Sequence, residues 1–444
     1  MKVCRQSTKI VKPCYEGNPP PATSQHICLS VFDTVTFDTH IAVIYVFKPP
    51  TPPNATVEQG LRTVLAEYRE WAGRFARDDE GRRVILLNDE GVRLVEATID
   101  CTLAEAMPFK PSSSLLNLHP NLKGVEELMQ VQLTRFTCGS MVLGFTSHHM
   151  VADGHSTSNF LIAWGQRTRG LEMEPLPLHD RAIFAPRDPP RFEFEHRGVE
   201  FTTNRLEEDE LRLPLFEPLL AGGNDDNIIV HKAHFTLEFL SKLKVKASSA
   251  RGTDKPYTTF ESLVAHLWRT ITKARRLNGF ETTHVRISVN GRSRLRPRVP
   301  NEYFGNLVLW AFPQARVKEL LQEPLHHAAK LIHDSITNVN DSYFKSFIDF
   351  ASSKEEDMKD LVPTANMSKS VLCPNIEVDS WLRFPFYDLD FGGGSPYVFM
   401  PSYFPVEGML FLLPSFIGDG SIDAIVPLFE HSLVSFKKAC YCLD

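Results

Sequence analysis

Three histidines and one aspartate fall within the nine positions from Ser147 to His155. An apolar run at 141–145 precedes them, and apolar residues at helical spacing follow. A strand, a polar turn and a helix in that order place a side chain at the end of a rigid element, where it can be aimed at a substrate. Imidazole suits this position because its pKa lies near neutral pH. We therefore expect His149 to act as a general base and Asp153 to brace the turn.

The same residues have simpler interpretations, which the local pattern leaves open. A metal site needs three or four ligands in a defined geometry. His149 and Asp153 supply two, and no nearby cysteine or glutamate completes the set, so we expect no metal. An aspartate here can also cap the helix that follows. We expect His148 and His155 to pack structurally, whereas the local sequence favours a structural and a catalytic role for His149 equally.

The length and composition indicate a globular protein with more than one core. At 444 residues the chain exceeds one ordinary domain, so two large lobes are expected. Hydrophobic residues make up 43% and charged residues 23%, which are ordinary proportions. A net charge of -6 gives no support to nucleic acid or an anionic membrane as the main partner.

The cysteines and the first residues favour the cytoplasm. Residues 1–15 carry basic groups and no long apolar run, which argues against a secretory signal peptide. The eight cysteines are scattered, and none forms a Cys-x-x-Cys pair. Reduced thiols in the cytosol fit this pattern better than a disulfide framework or a zinc site.

Several familiar reaction classes lack their usual motifs. The sequence has no Gly-x-Ser-x-Gly turn of the serine hydrolases. It also lacks a Walker loop for nucleotide phosphates and a Gly-x-Gly-x-x-Gly fingerprint for dinucleotides. A histidine that acts directly on an acceptor needs none of these motifs, because one positioned imidazole is enough.

Helices and strands are mixed along both halves of the chain. A capping-box pattern at Thr56 precedes an apolar face that extends to Phe75, and a second pattern at Thr258 precedes a helix at 259–275. Apolar and polar residues alternate over 129–134, as in a strand with one buried face. Elements of both kinds in each half predict two α/β lobes.

Two further segments carry residues that could bind a ligand. Three successive glycines at 392–394 would let the backbone approach a ligand closely, but we expect a tight structural turn. Glu377 and Asp379 share one face of an extended segment. On the residues alone, we expect both carboxylates to face water, as most charged side chains do.

Three segments together resemble the plant BAHD acyl-CoA-dependent acyltransferases. Residues 149–154 match that family's His-x-x-x-Asp-Gly motif, and residues 303–306 match its Tyr-Phe-Gly-Asn segment. Residues 390–394 match its Asp-Phe-Gly-Trp-Gly motif, except that Gly393 replaces the tryptophan. The order, the spacing and the total length agree as well. The segment at 375–381 and the glycine-rich form of the last motif resemble the cereal branch that acylates amines.

The resemblance implies a particular architecture within the α/β class. It implies two chloramphenicol-acetyltransferase-like lobes with mixed sheets and helices, joined by a long crossover loop, with an active-site tunnel between them. We place the N-terminal lobe at 1–190, completed by about 373–398. The crossover loop spans 191–227, and the C-terminal lobe comprises 228–372 and 399–444.

The resemblance also implies a reaction. An acyl-CoA:amine N-acyltransferase would transfer a hydroxycinnamoyl or benzoyl group from its CoA thioester to an amine such as agmatine, putrescine or tryptamine. His149 would be the base in a ternary complex, and Asp153, paired with Arg292, would brace it. Trp381 or Ser380 would stabilise the oxyanion. The alternatives are an O-acyltransferase that uses an alcohol and a non-catalytic binding protein that keeps the fold.

The binding residues implied by the resemblance differ in charge. A cationic agmatine or putrescine tail calls for an acidic partner, which Glu377 and Asp379 supply. Tyr45 is a candidate wall of the acyl pocket. The candidates for the CoA phosphates are Lys244, Arg251 and Lys255. Acyl-CoA is a co-substrate, so we expect no resident cofactor; we also expect no nucleic-acid or membrane partner and, by the resemblance, a monomer.

Overall fold

The chain divides into two compact units, each built from separate segments. The computed structural model describes residues 2–17, 20–203, 227–249, 255–353, 360–366 and 370–443. The first unit comprises Met1–Ala185, Arg298–Leu307 and Phe384–Tyr403; the second comprises Pro186–Pro297, Val308–Arg383 and Phe404–Asp444. The sequence prediction differs in leaving 298–307 in the C-terminal lobe and in starting the returning segment at about 373. Much of its crossover loop, 204–226, lies outside the described residues.

The helices and strands are numbered in chain order. The strands are β1 (Val3–Val11), β2 (His26–Cys28), β3 (His40–Phe47), β4 (Arg74–Arg77), β5 (Arg83–Leu86), β6 (Val92–Ile99), β7 (Met129–Phe136), β8 (Met141–His148), β9 (Phe201–Thr203), β10 (Ile228–Phe235), β11 (Thr282–Asn290), β12 (Val308–Ala311), β13 (Gln314–Arg316), β14 (Leu361–Pro363), β15 (Ile376–Ser380), β16 (Val398–Pro401), β17 (Met409–Pro414) and β18 (Ile422–Phe429). The α-helices are α1 (Val31–Val35), α2 (Asn54–Glu67), α3 (Arg69–Ala72), α4 (Leu103–Ala106), α5 (Gly154–Thr168), α6 (Leu237–Ser248), α7 (Thr259–Arg275), α8 (Val317–Gln322), α9 (Leu325–Asn338), α10 (Asp341–Ala351) and α11 (Glu430–Ala439).

The main sheet of the first unit has the order β1-β6-β7-β8-β3-β16. It is mixed, because β6 and β7 run parallel whereas the other neighbours run antiparallel. Strand β16 comes from the returning segment and pairs with β3 at the edge. Strand β3 pairs along its whole length with β8. The returning segment is thus tied through β3 to the strand that precedes the histidine cluster.

Strand β7 is buried on both faces, which corrects the expectation of one exposed face. Its polar side chains are almost inaccessible; Gln132, for example, has no exposed surface. A short 3-10 helix at 113–118 lies against this face, and Gly144 of β8 permits the approach, since a Cβ there would overlap the Leu118 carbonyl oxygen. The buried amide nitrogen of Gln132 donates to the Asn117 carbonyl at 2.8 Å, whereas its amide oxygen has no hydrogen-bond partner among the described residues.

Helix α2 begins before the capping-box residue, so the predicted start at Thr56 is wrong. The backbone N–H of Thr56 donates to the Pro53 carbonyl at 3.0 Å, which places Thr56 inside the first turn. A proline suits that entrance because it has no N–H to satisfy and its fixed φ is compatible with a helix. The chain turns at Gly73, and Phe75 lies in β4 rather than on the helix. The capping box at Thr258 is confirmed at the start of α7.

The main sheet of the second unit has the order β10-β18-β17-β15-β11-β12, with β13 also paired to β11. Its centre is parallel, because β15 runs parallel to both β11 and β17. Strands β9 and β14 form a separate antiparallel pair. A central parallel strand is generally covered on both faces. Charged side chains on β15 are therefore expected to need partners within the protein.

The three successive glycines form a structural turn, as expected from the sequence. Oδ1 of Asp390 accepts the backbone N–H groups of Gly392 and Gly394 at 2.7 and 2.8 Å. Gly393 lies so close to the chain at Pro50 that a Cβ there would overlap the Pro50 carbonyl oxygen. The tryptophan of the family motif has no room in this arrangement, which explains the departure at Gly393.

Gly393→Ala should lower the free energy of unfolding by about 1–3 kcal/mol, because overpacking against rigid backbone forces a local shift. Chemical denaturation of the purified variant measures the loss. Gly279→Ala is the control, since its Cβ would meet Lys318 at 3.3 Å, a contact that a small movement relieves. Equal losses in the two variants would contradict the role given to the approach of Pro50.

Candidate active site

The histidine cluster lies where β8 ends and α5 begins, as the sequence predicts. Strand β8 ends at His148, and α5 starts at Gly154. Backbone hydrogen bonds hold the intervening turn: the N–H of His149 donates to the Thr39 carbonyl at 2.9 Å, and that of Val151 to the His148 carbonyl at 3.1 Å. His149 is therefore presented by a fixed turn at the end of a fully buried strand.

The ring of His149 is half-buried and is held from one side. Its Nδ1 lies 3.0 Å from the hydroxyl oxygen of Thr36, and the ring of Phe37 packs edge-on at 5.6 Å between centroids. Among the described residues, Thr36 is the hydrogen-bond partner of Nδ1, and none bonds to Nε2. The Thr36 hydroxyl can donate or accept, and when it accepts the Nδ1 proton the ring has its lone pair on Nε2. Nε2 is then the atom at which this ring can accept a proton.

The surroundings of His149 favour its neutral form. Burial lowers the pKa of His149 below its ordinary value, and the Asp153 carboxylate partly opposes that shift. An imidazole with a lowered pKa is unprotonated at neutral pH, as a general base must be. The negative charge of Asp153 also favours the imidazolium that forms when the ring takes a proton.

The two neighbouring histidines make structural contacts, as expected. Nε2 of His148 lies 3.2 Å from the Asp38 carboxylate, and the ring of Phe75 packs edge-on against His148 at 4.8 Å. Nε2 of His155 lies 3.1 Å from the Asn301 carbonyl oxygen. Both rings are thus fixed to neighbouring parts of the first unit.

A buried aspartate, the last residue of a capping box that starts at Ser30, holds this site together. Asp33 lies in α1, has no exposed surface, and accepts hydrogen bonds from three residues. The N–H and hydroxyl of Ser30 donate at 2.8 and 2.7 Å. Nη1 of Arg181 donates at 2.8 Å, and the backbone and side-chain N–H groups of Asn306 donate at 2.9 Å each. These donors fix the carboxylate and offset the free-energy cost of its burial.

The donors that bind Asp33 also hold the backbone of the histidine turn. Nδ2 of Asn306 donates to the His149 carbonyl at 2.9 Å, and Nη2 of Arg181 donates to the Val151 carbonyl at 3.0 Å. Asp33 therefore positions two side chains that in turn fix the residue expected to be the base. Asn306 belongs to a family motif. The local signal at Asp33 is its capping box with Ser30, which gives no indication of Arg181 or Asn306.

Asp153 braces the same turn by another route. Its Oδ1 accepts the N–H of Ser156 at 2.9 Å, so it caps α5, and its Oδ2 accepts the N–H of Leu307 at 3.0 Å. The Ser156 hydroxyl adds hydrogen bonds to the Tyr303 and Gly305 carbonyls at 2.9 Å each. The helix cap considered from the sequence is present, and it ties α5 to the segment that ends the second family motif.

Glu377 of the acidic pair in the second unit is buried, so the expectation that both carboxylates face water is wrong. Glu377 is 8% exposed, and Asp379 is half-buried in β15. The parallel register of β11 and β15 sets Arg286 beside Glu377, with Nη1 and Oε2 3.6 Å apart. The guanidinium of Arg286 also lies 4.0 Å from the centre of the Trp310 ring. Two carboxylates and one guanidinium thus share one face of this sheet.

Asp379 is held by the residue expected to bind an oxyanion. The indole N–H of Trp381 donates to Oδ2 of Asp379 at 2.9 Å. An indole has one N–H and no acceptor, so in this arrangement Asp379 takes the donor of Trp381, and the oxyanion role of Trp381 stays a prediction. Burial raises the pKa of Asp379 to about 6; the Trp381 hydrogen bond limits the rise, and Glu377 adds to it. Ser380 is half-buried at the end of β15, and its oxyanion role stays a prediction.

Tyr45 is fully buried within the first unit. Its ring packs against Phe399 at 4.7 Å and Phe386 at 6.4 Å between centroids. Among the described residues, none hydrogen-bonds its hydroxyl, and burial raises the pKa of this phenol well above its ordinary value. The aromatic surroundings suit an aromatic acyl group, but the place of Tyr45 in an acyl pocket stays a prediction.

The remaining expected site residues lie in the second unit or outside the described chain. Lys244 is half-buried on α6, Lys255 is exposed, and Arg251 lies outside the described residues. Arg292 is buried, and its backbone N–H donates to Oδ1 of Asn290 at 2.9 Å. The CoA contacts and the pairing of Arg292 with Asp153 stay predictions.

Other kinds of centre find little support in the described part of the chain. No group of three or more His, Cys, Asp or Glu side chains is arranged there to hold a metal ion. The eight cysteines are unpaired. No helix in the described segments is both long and apolar enough to cross a bilayer.

The sequence profile of the Transferase family matches residues 1–443. The chain belongs to this family, the BAHD acyltransferases. The predicted family is thereby confirmed, and the match covers both units. The histidine turn of this acyltransferase is therefore the segment in which the family's His-x-x-x-Asp motif lies.

Relatives of this BAHD acyltransferase match it along its whole length. Agmatine coumaroyltransferase-1 of Hordeum vulgare is 53% identical over 448 positions, with 100% of each chain covered. Putrescine hydroxycinnamoyltransferase 3 of Oryza sativa subsp. japonica is 51% identical, also with 100% of each chain covered. The crystal structure of vinorine synthase matches with a TM-score of 0.73 and 21% identity, covering 98% of this chain and 96% of that one. This likeness confirms the predicted fold class.

Thr36→Val should lower kcat of the acyltransferase about ten- to hundredfold, because the ring of His149 loses the contact that sets its tautomer and orientation. Steady-state kinetics with the acceptor varied measure the effect, and KM should change little. Thr36→Ser keeps the hydroxyl and should retain most of the activity. Loss of activity in both variants would indicate a packing role for Thr36 instead.

Asp33→Asn should lower the free energy of unfolding by about 3–5 kcal/mol, because the buried Arg181 loses its counter-charge. Thermal and chemical denaturation measure this. The matched control is Glu238→Gln, whose carboxylate pairs with Lys242 at 2.6 Å on the surface and should contribute little to stability. An Asp33→Asn protein as stable as the control variant would remove Asp33 from its assigned role.

Proposed function

We propose that this BAHD acyltransferase is an acyl-CoA:amine N-acyltransferase. It transfers a hydroxycinnamoyl or benzoyl group from the CoA thioester to an amine such as agmatine, putrescine or tryptamine. The observation that carries this proposal is the identity of 51–53% along the whole chain with relatives named for agmatine and putrescine. The buried carboxylates of β15 support it independently, since they suit a cationic acceptor.

In the proposed mechanism, His149 acts directly on the acceptor. The amine nitrogen attacks the thioester carbonyl, and Nε2 of His149 takes the proton that the nitrogen loses. The carbon–nitrogen bond forms, the carbon–sulfur bond breaks, and the proton passes from His149 to the leaving thiolate. Both substrates are bound together, so no acyl-enzyme is needed. In this step the hydroxyl of Thr36, 3.0 Å from Nδ1, accepts the Nδ1 proton while Nε2 carries the lone pair.

The acceptor must react as the neutral amine. A primary alkylamine with a pKa of about 10.4, like a lysine side chain, is almost entirely protonated at pH 7. The lowered pKa of His149 matters here because a protonated imidazole would repel the ammonium and could not take its proton. Neutral imidazole and neutral amine coexist best at and above neutral pH, where we expect turnover to be fastest.

The acidic cluster selects the other end of the acceptor. Agmatine carries a guanidinium and putrescine a second ammonium, and each can form a charge-assisted hydrogen bond with a carboxylate. Glu377 and Asp379 are placed away from bulk water, where such a bond is worth more than at an exposed site. An acceptor with its own carboxylate, such as shikimate, would be repelled.

The proposal extends to partners and location. Acyl-CoA is a co-substrate, and no resident cofactor or metal takes part. Its phosphates are assigned to Lys244, Arg251 and Lys255, and the oxyanion to Trp381 or Ser380. The protein is placed in the cytoplasm as a monomer, and its eight unpaired cysteines suit a reducing compartment.

The test is a matrix of acyl-CoA donors against acceptors, read by mass spectrometry. The donors are p-coumaroyl-, feruloyl-, cinnamoyl- and benzoyl-CoA; the acceptors are agmatine, putrescine, tryptamine, shikimate and a neutral alcohol. We expect amides, and we expect His149→Ala to lose about 10²–10⁴-fold in rate. His155→Ala, on the same turn but bonded to Asn301, is the matched control and should keep most of the activity.

Three results would contradict the proposal. Esters without amides would make the protein an O-acyltransferase. Absence of thiol release with every pair would make it a binding protein that keeps the fold. Turnover by His149→Ala near that of the unmodified enzyme would remove His149 as the base.

A further inference from the structure

The two carboxylates of the acidic cluster are not equivalent. Arg286 and Glu377 are neighbours in the register of β11 and β15, and their charged groups lie 3.6 Å apart. Both side chains are about one-tenth exposed. Glu377 therefore has a counter-charge from the protein itself.

The guanidinium that neutralises Glu377 is itself held in place. It lies 4.0 Å from the centre of the Trp310 ring on β12. A guanidinium stacked on an aromatic face gains a cation–π interaction, which is stronger when desolvated. Because Arg286 is fixed against Trp310, an incoming cation would have to displace a preorganised partner to reach Glu377.

Asp379 has a weaker counter-charge, because Arg286 interacts more strongly with Glu377 than with Asp379. It lies two residues further along β15, on the same face as Glu377. Oδ2 accepts the Trp381 indole N–H at 2.9 Å. Among the described residues, no lysine, arginine or histidine forms an ion pair with Asp379. Its carboxylate is oriented by a neutral donor, and Arg286 compensates its negative charge less than that of Glu377.

We propose that Asp379 is the residue that recognises the cationic tail of the acceptor, and that Arg286 is a specificity-determining counter-charge that withdraws Glu377 from this role. This inference rests on the proposed function, because it assigns the charge preference of the same acceptor site. Two carboxylates and one guanidinium leave one net negative charge. The cluster thus suits an acceptor with a single distal positive charge, either a guanidinium or an ammonium.

The experiment compares agmatine with tryptamine as the ratio of their kcat/KM values. Both substrates react through a primary amine, so the ratio isolates the preference for a charged tail. Asp379→Asn should lower the ratio about ten- to hundredfold, the worth of a hydrogen bond to a charged group. Glu377→Gln should also lower it, because Arg286 then neutralises Asp379.

Two double variants with the same net charge decide between the carboxylates. Glu377→Gln with Arg286→Gln leaves Asp379 as the single charge and should restore the ratio. Asp379→Asn with Arg286→Gln leaves Glu377 as the single charge and should not restore it. Equal restoration in both would overturn the assignment to Asp379, and no restoration in the first would show that Glu377 contacts the tail.

The pH dependence of the ratio in the unmodified enzyme gives a second readout that needs no variant. With its pKa raised to about 6, Asp379 loses its charge as the pH falls through that value. The ratio should therefore fall between pH 7.5 and 5, and it should fall likewise in the Glu377→Gln, Arg286→Gln double variant. A constant ratio would overturn the proposal. Burial also raises the pKa of Glu377, which Arg286 opposes, so the double variant separates the two carboxylates.

The outcomes separate this inference from the proposed function. If the unmodified enzyme acylates no amine, the function is wrong. If it acylates amines but the ratio follows Glu377, or does not depend on either carboxylate, only the assignment to Asp379 is wrong. The melting temperature of each variant shows whether the protein is still folded when its agmatine-to-tryptamine ratio of kcat/KM is lowered.

Discussion

The histidine site depends on one buried carboxylate. Asp33 accepts hydrogen bonds from the neighbouring Ser30 and from Arg181 and Asn306, which lie in distant parts of the chain. Two of these donors also bind carbonyl groups of the turn that carries His149. An imidazole acts as a base only when its ring is held in one orientation relative to the reacting atoms. Asp33 supplies that rigidity without contacting the ring itself. It fixes Asn306 and Arg181, and these side chains hold the backbone of the turn.

The two units use buried acidic residues in opposite ways. Asp33 is saturated with donors, and nothing further can bind it without breaking an existing contact. Asp379 has one neutral donor, Trp381, and keeps its charge available. Burial disfavours the charged form of a carboxyl group unless enough donors compensate. Asp379 has few donors, so burial raises its pKa. A saturated carboxylate stabilises the fold, whereas an unsaturated one is suited to bind a ligand.

Features that depend on residues close together in the sequence were predicted from local patterns. The turn at His149 and the capping box at Thr258 depend on neighbours within a few residues, and both are found. The role of Asp33 was not predictable, because its partners are brought together only by folding. The burial of Glu377 was not predicted for a similar reason. A carboxylate in a strand is expected to be exposed, and its partner Arg286 lies on an adjoining parallel strand that is distant in sequence. Long-range pairing leaves no periodicity to detect.

The glycine turn near Pro50 has a consequence for how such sequences can change. Gly393 and the carbonyl of Pro50 share a space that admits no side chain. The two positions are therefore sterically coupled, although they are far apart in the chain. A tryptophan could return to position 393 only after the proline-rich connection had first moved away. The order of substitutions is thus constrained, and the departure from the family motif, once made, is difficult to reverse by a single mutation.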